Sequence, residues 1–99
     1  MDVKDLRYFV AVYETRTFSR ASEFLGTVQS NVSARIRALE DALGATLFER
    51  HYRGVVPTSK GEELYARAKE LIATFEVTER AIKVTAAIST IAHDSPGTQ

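Results

Sequence analysis

Phe18-Ser-Arg-Ala-Ser-Glu-Phe-Leu-Gly26, followed by Thr27-Val-Gln-Ser-Asn-Val-Ser-Ala-Arg-Ile-Arg-Ala-Leu-Glu-Asp-Ala-Leu-Gly44, reads as two helices joined by a glycine turn. A small residue in the first helix, a glycine between them and a buried valine in the second are what a helix-turn-helix requires. Such a motif lays its second helix in the major groove of DNA. Thr17 caps the shorter helix, about 18–25, with Phe18, Ala21, Phe24 and Leu25 facing inward. Gly26 follows as a residue able to take positive φ. Thr27 is the expected cap of the longer helix, whose Val32, Ile36, Leu39 and Leu43 recur at amphipathic spacing until Gly44 ends it.

On the N-terminal side, Asp2 can cap a first helix ending near Thr15-Arg16, with Val3, Leu6, Phe9, Val10 and Tyr13 inward. On the C-terminal side, Leu47-Phe48-Glu49-Arg50 and Val55-Val56-Pro57 are short and β-prone. His51-Tyr52-Arg53-Gly54 between them forms the turn of a small hairpin, a wing. Ser59 and Glu62 make a capping box, with Thr58 as the alternative cap. A helix of about 59–90 follows, with no proline and, after Gly61, no glycine. Leu64, Ala68, Leu71, Phe75, Thr78 and Ile82 keep a near-heptad seam along it. A helix that long exceeds what a domain of under sixty residues can bury, so the seam is expected to meet a second copy of itself.

The fold class is therefore mainly α. A winged helix-turn-helix of three helices and a hairpin covers 1–58, a linker and dimerisation helix 59–91, and a tail or hinge 92–99. The 99 residues contain no cysteine, which excludes a disulfide framework, a thiolate nucleophile and a cysteine-ligated metal. No apolar run reaches membrane-spanning length and no signal peptide opens the chain, so no membrane association and a cytoplasmic location are expected. His51 and His93 lack metal-ligand spacing, and no phosphate loop or nucleophile elbow is present. No catalytic residue, metal or cofactor is assigned, and the chain does not read as an enzyme.

Net charge is zero, against the basic balance common in nucleic-acid binders. Its distribution matters more: residues 1–58 hold seven Arg and one Lys against seven acids. Arg35, Arg37, Arg50 and Arg53 fall within nineteen positions. Unrolled at about 100° per residue, the third helix puts Val32, Ile36, Leu39 and Leu43 on one side. Ser30, Ala34, Arg37 and Asp41 lie opposite, with Gln29 and Ser33 along one edge and Asn31 and Arg35 towards the other. The helix start is thus small and polar, able to approach base edges, where Gln and Asn can pair with adenine. Arg50, His51 and Arg53 are candidates for phosphate or minor-groove contacts. The alternative for each is a solvated face. Ala21 and Ser22 read as packing residues, and Phe48 and Tyr52 as core and wing packing or, less simply, base stacking.

The run Leu25-x-x-x-Gln29-Ser-x-Val32-Ser33-x-x-Ile36-x-x-Leu39-Glu40-x-x-Leu43-Gly44-x-x-Leu47-Phe48-Glu49-Arg50, with Arg53, Thr58 and Gly61, resembles the N-terminal domain of LysR-type transcriptional regulators. Asp5-Leu6-Arg7-Tyr8-Phe9-x-Ala11-Val12 and Phe18-Ser19-x-Ala21 fit as well. The resemblance implies regulation of transcription through double-stranded DNA at operators or promoters. It implies a homodimer joined by the linker helix, and a tetramer in a full-length protein. It places base contacts at Gln29, Ser30, Asn31, Ser33 and Ala34, and wing contacts at Arg50 and Arg53. A small-molecule effector would require a further C-terminal domain.

Three departures stand out. Val28 occupies a position where the family usually has Ser or Thr, which moves the cap to Thr27. Asn31 adds a hydrogen-bonding group beside the bases. Ala34 replaces a frequent Arg, leaving Arg35 or Arg37 to take phosphate. A reading from another class is a helical protein-interaction module dimerising through its long helix.

Overall fold

The computed structural model describes residues 1–93. Its elements run α1 (Val3–Thr15), α2 (Phe18–Leu25), α3 (Gln29–Leu43), β1 (Phe48–His51), β2 (Gly54–Pro57) and α4 (Ser59–His93). Each boundary has a local cause. Asp2 accepts the Asp5 N–H at 2.8 Å while Asp5 accepts the Asp2 N–H at 3.0 Å, a reciprocal capping box at the start of α1. Thr17 caps α2 by accepting the Arg20 N–H at 3.0 Å. Gly26 and Gly44, at φ 69° and 63°, end α2 and α3 in the left-handed region that favours glycine.

Helix α1 sits at the centre of the domain. The sequence assigns it one inward stripe, and Leu6 and Phe9 are indeed buried, but so are Tyr8, Ala11 and Val12. The extra burial follows from its position: α2 and α3 pack against it, and so do β2 and α4. Val3, Val10 and Tyr13 are only half-buried, at the rims of these contacts. The core is completed by Ala21, Val32, Ile36, Leu39, Leu47, Phe48, Val55 and Ala68. Phe9 and Phe48 meet with ring centroids 5.2 Å apart, which joins α1 to the base of the wing.

Two residues expected inside are outside. Phe24 is 81% exposed, because Ala21 and Ser22 take the face of α2 that is buried. Leu43 is 40% exposed; it lies in the last turn of α3, past the part of the helix covered by the core. The capping of α4 also differs from the expected box. Thr58, not Ser59, caps it: its Oγ1 accepts the Gly61 N–H at 3.1 Å and donates to the Thr46 carbonyl at 2.6 Å. Glu62 is free of capping duty and accepts instead from the Tyr13 hydroxyl. Helix α4 continues through residues 92 and 93, which the sequence assigns to the tail. The rest of that tail lies outside the described residues.

The hairpin pairs Phe48 with Pro57 and His51 with Gly54, so Tyr52 and Arg53 form a two-residue turn. It is hooked to the end of α1. Arg16, in the left-handed region at φ 64°, turns its carbonyl to accept the Val55 N–H at 2.9 Å. Gly54 makes this approach possible: at φ 143°, a Cβ there would stand 2.2 Å from the Arg16 carbonyl oxygen. Gly54→Ala is therefore expected to cost about 2–3 kcal/mol from backbone strain and clash, measured as a fall in the urea midpoint. A midpoint unchanged within error would show that the hook is not structurally required.

Candidate nucleic-acid interface

The start of α3 is open. Its N-cap is Val28, which supplies no side-chain hydrogen bond. Thr27 does not take the capping role: its N–H closes α2 on the Ser22 carbonyl at 3.0 Å, and its hydroxyl, the group a cap would use, accepts from the Asn31 amide at 3.0 Å. The chain therefore enters α3 one residue later than the sequence suggests. Val28 can only lend its backbone carbonyl, which receives the N–H groups of Asn31 and Val32. An uncapped helix start presents donors and the positive end of the helix dipole, which suits an anion. Gln29, Ser30, Asn31, Ala34 and Arg37 are all exposed around it, and Ser33 is half-buried.

The wing converges on this helix start. Gln29 of α3, Ser19 of α2 and Arg50 to Gly54 of the hairpin line one shallow hollow. A neighbouring hollow gathers Arg16, Arg20, His51 and Arg53. Arg16 and Arg20 were not singled out from the sequence. They come from the α1–α2 junction, which the Arg16–Val55 hook and the Arg50–Phe18 contact hold beside the wing. Tyr52, expected to pack within the wing, is instead 90% exposed at its tip. A two-residue turn points its side chains away from the sheet, and there the Arg53 guanidinium lies 5.3 Å from the centre of the Tyr52 ring.

The four arginines expected at the interface fall into two groups. Arg37 and Arg53 are exposed and form no ion pair among the described residues. Arg35 and Arg50 are partnered within the domain. Arg35 donates to Asp5 at 2.9 Å and stacks over the Tyr8 ring at 4.9 Å, with its Nε buried and unpartnered. Arg50 lies 4.8 Å over the Phe18 ring, 3.4 Å from the Ser33 hydroxyl and 3.7 Å from Glu40. Glu40 is the residue that a reading of motifs alone leaves without a role. Its Oε2 accepts the backbone N–H groups of Leu47 and Phe48, at 2.8 and 3.3 Å, while its Oε1 faces Arg50. One carboxylate thus ties α3 to the first strand of the wing.

Asn31 is also more committed than expected. Its amide nitrogen donates to the Tyr8 hydroxyl at 3.2 Å and to the Thr27 hydroxyl at 3.0 Å.

The seam expected along α4 divides in two. Leu64 and Ala68 pack against the domain's own core, Ala68 completely buried. They serve α1, which lies against this part of α4: Tyr13 and Tyr65 stack at 3.7 Å and 6°. Tyr65 donates to Glu14 at 2.6 Å, and Arg7 pairs with Glu76 at 2.9 Å. Leu71, Phe75 and Ile82 remain exposed, as do Val77, Val84 and Ile88. Among the described residues no helix is long and apolar enough to cross a membrane, and no cluster could hold a metal ion.

Residues 3–62 match the family described as bacterial regulatory helix-turn-helix protein, lysR family. The chain is 43% identical over 82 residues to the HTH-type transcriptional regulator HdfR of Yersinia enterocolitica, covering 83% of this chain and 28% of that protein. It is 42% identical over 82 residues to HdfR of Escherichia coli, covering 83% of this chain and 29% of that protein. The chain thus spans under a third of the length of these curated relatives. Its fold is similar to a BenM DBD/catB site 1 DNA complex, with TM-score 0.82 and 36% identity over 87% of this chain and 97% of that one. It is also similar to a CbnR DBD–DNA complex, with TM-score 0.77 and 29% identity over 90% of this chain and 99% of that one. Against a full-length OxyR variant from Pseudomonas aeruginosa the TM-score is 0.80, with 30% identity over 85% of this chain and 28% of that one.

The carboxylates that hold α1 give the domain a pH dependence. Burial raises the pKa of Asp5. The Asp2 backbone N–H, the Arg35 hydrogen bond and the charges of Arg35 and the N-terminus outweigh burial and hold it below 3.8. The Tyr65 hydrogen bond, with Lys69 and against burial, holds Glu14 below 4.5. Both values are depressed by folding, so the stabilisation is complete above the ordinary values and is lost as pH falls through the lowered ones. The urea midpoint is expected to fall below about pH 4. An Asp5→Asn, Glu14→Gln double variant should show a flatter acid limb; a limb as steep as the parent's would refute the assignment.

Proposed function

The chain belongs to the lysR family of bacterial regulatory helix-turn-helix proteins, and on that footing we propose that it binds operator or promoter DNA sequence-specifically, as a homodimer, to regulate transcription. The observation that carries this reading is the convergence of an uncapped, small and polar helix start with a cationic wing. In the proposed complex α3 enters the major groove. Gln29, Ser30, Asn31 and Ser33 meet base edges, and exposed Ala34 lets the backbone come close. Tyr52 and Arg53 at the wing tip approach the neighbouring minor groove, where a narrow groove attracts arginine. Arg37 is the cation of α3 left for phosphate. Arg35 and Arg50 act mainly by bracing α3 to α1 and to the wing. Similarity to the BenM and CbnR domains, both in DNA complexes, supports the same docking.

The dimer in this reading is formed by the outer part of α4. Leu71, Phe75 and Ile82 supply the seam, and Leu64 and Ala68 are omitted from it because the domain already buries them. Such a regulator works in the cytoplasm beside the chromosome and needs no catalytic group. A tetramer and a small-molecule effector would depend on a further domain of the kind that the longer relatives have room for.

Three measurements test the proposal. Binding of labelled duplex should weaken steeply with salt, since phosphate contacts release counterions. Gln29→Ala should cost about 1–3 kcal/mol on the cognate site and spare random DNA; an equal loss on both would remove Gln29 as a base reader. Phe75→Glu should convert the dimer to a monomer in sedimentation, and an unchanged mass would refute the seam.

A further inference from the structure

We propose that Asn31 reads the half-site as a hydrogen-bond acceptor only, through Oδ1, because Tyr8 and Thr27 occupy both donors of its amide. The proposal rests on the reading that the start of α3 faces base edges. An asparagine amide carries two N–H donors and one carbonyl acceptor. Here Nδ2 lies 3.2 Å from the Tyr8 hydroxyl and 3.0 Å from the Thr27 hydroxyl. Both N–H groups are therefore spent inside the domain. Oδ1 has no partner among the described residues and is the atom left to the ligand.

The arrangement is braced from behind. Tyr8 is 7% exposed and lies in the core face of α1. The Arg35 guanidinium covers its ring, and Asp5 holds that guanidinium at 2.9 Å. Asp5 in turn belongs to the capping box of α1. Thr27 is fixed by its backbone bond to Ser22 in the turn. The amide is thus aimed by α1 on one side and by the helix-turn-helix turn on the other.

The chemical consequence is specific. A free asparagine pairs with adenine through both atoms, accepting from N6 and donating to N7. With Nδ2 committed, the N7 bond is not made. Oδ1 accepts equally from the exocyclic amino groups of adenine N6 and cytosine N4. At guanine and thymine it meets only the acceptors O6, N7 and O4. Asn31 should therefore admit either amino base on the contacted strand and reject the two oxo bases. Tyr8 and Thr27 are positioning residues for this choice.

The test uses the intact chain. Duplexes selected from a random pool define the half-site, and four duplexes differing only at the Asn31-dependent position are then titrated. The unmodified protein should bind the adenine and cytosine duplexes within about threefold of each other, and guanine and thymine about tenfold more weakly. Asn31→Ala should bring all four together. Only the N–H on the same side as Oδ1 can reach adenine N7, so one of Tyr8→Phe and Thr27→Val, whichever frees that N–H, should raise adenine about tenfold over cytosine. A loss of structure alone would weaken all four duplexes without changing their order. The proposal is overturned if the unmodified protein takes adenine alone, if no position depends on Asn31, or if neither positioning variant moves the adenine-to-cytosine ratio. Failure to prefer any duplex over random DNA would sink the underlying reading as well; selective binding independent of Asn31 would sink the present proposal alone.

Discussion

The carboxylate of Glu40 is the junction on which the arrangement of helix and wing depends. The short loop after Gly44 must return the chain to the core, and its N–H groups at Leu47 and Phe48 need partners once those side chains are buried. Glu40 supplies the acceptor from within α3. With Leu47 fixed, its carbonyl accepts the Thr58 N–H at 2.9 Å. The same carbonyl is approached so closely by Gly61 that a Cβ there would stand 2.2 Å away. The start of α4, the base of the hairpin and the end of α3 are thereby set by one short stretch of backbone. Arg50, facing the other oxygen of Glu40, extends the junction along the wing.

The elements were legible because their signals are local. Apolar spacing, glycine at Gly26 and Gly44, and Asp2 and Thr17 as caps depend on a few neighbouring residues, and each stands where the spacing places it. What was not legible depends on which face of an element meets another. Phe24 is outside because Ala21 and Ser22 take the contact. Leu64 and Ala68 sit in a seam that looks continuous in one dimension but serves α1 over its first turns. Thr27 reads as a cap, but its hydroxyl meets the Asn31 amide instead of a backbone N–H of the first turn. In each case a residue had two possible partners, and the tertiary arrangement chose between them.

The same division applies to the candidate interface. Helical phase places Gln29, Ser30 and Asn31 away from the buried stripe of α3, and all three are exposed. Arginine count does not show pairing: Arg35 lies 2.9 Å from Asp5 and Arg50 3.7 Å from Glu40. Those acids lie far from the arginines in sequence or on another element, so a tally of charge sees both members and no pair. Conversely, Arg16 and Arg20 reach the wing through tertiary contacts, the hook of the Arg16 carbonyl to Val55 among them.

The stacked rings of Tyr13 and Tyr65, with the Arg7–Glu76 pair further along, clamp α1 lengthwise to the first half of α4. Mechanically this makes α4 a crank shaft and the domain its fixed head. A twist of this part of the shaft against α1 would have to break the ring stack and the ion pair, and α1 is the helix against which the other elements pack. From residue 77 to residue 90 every side chain of the shaft is exposed, so that stretch has no such clamp.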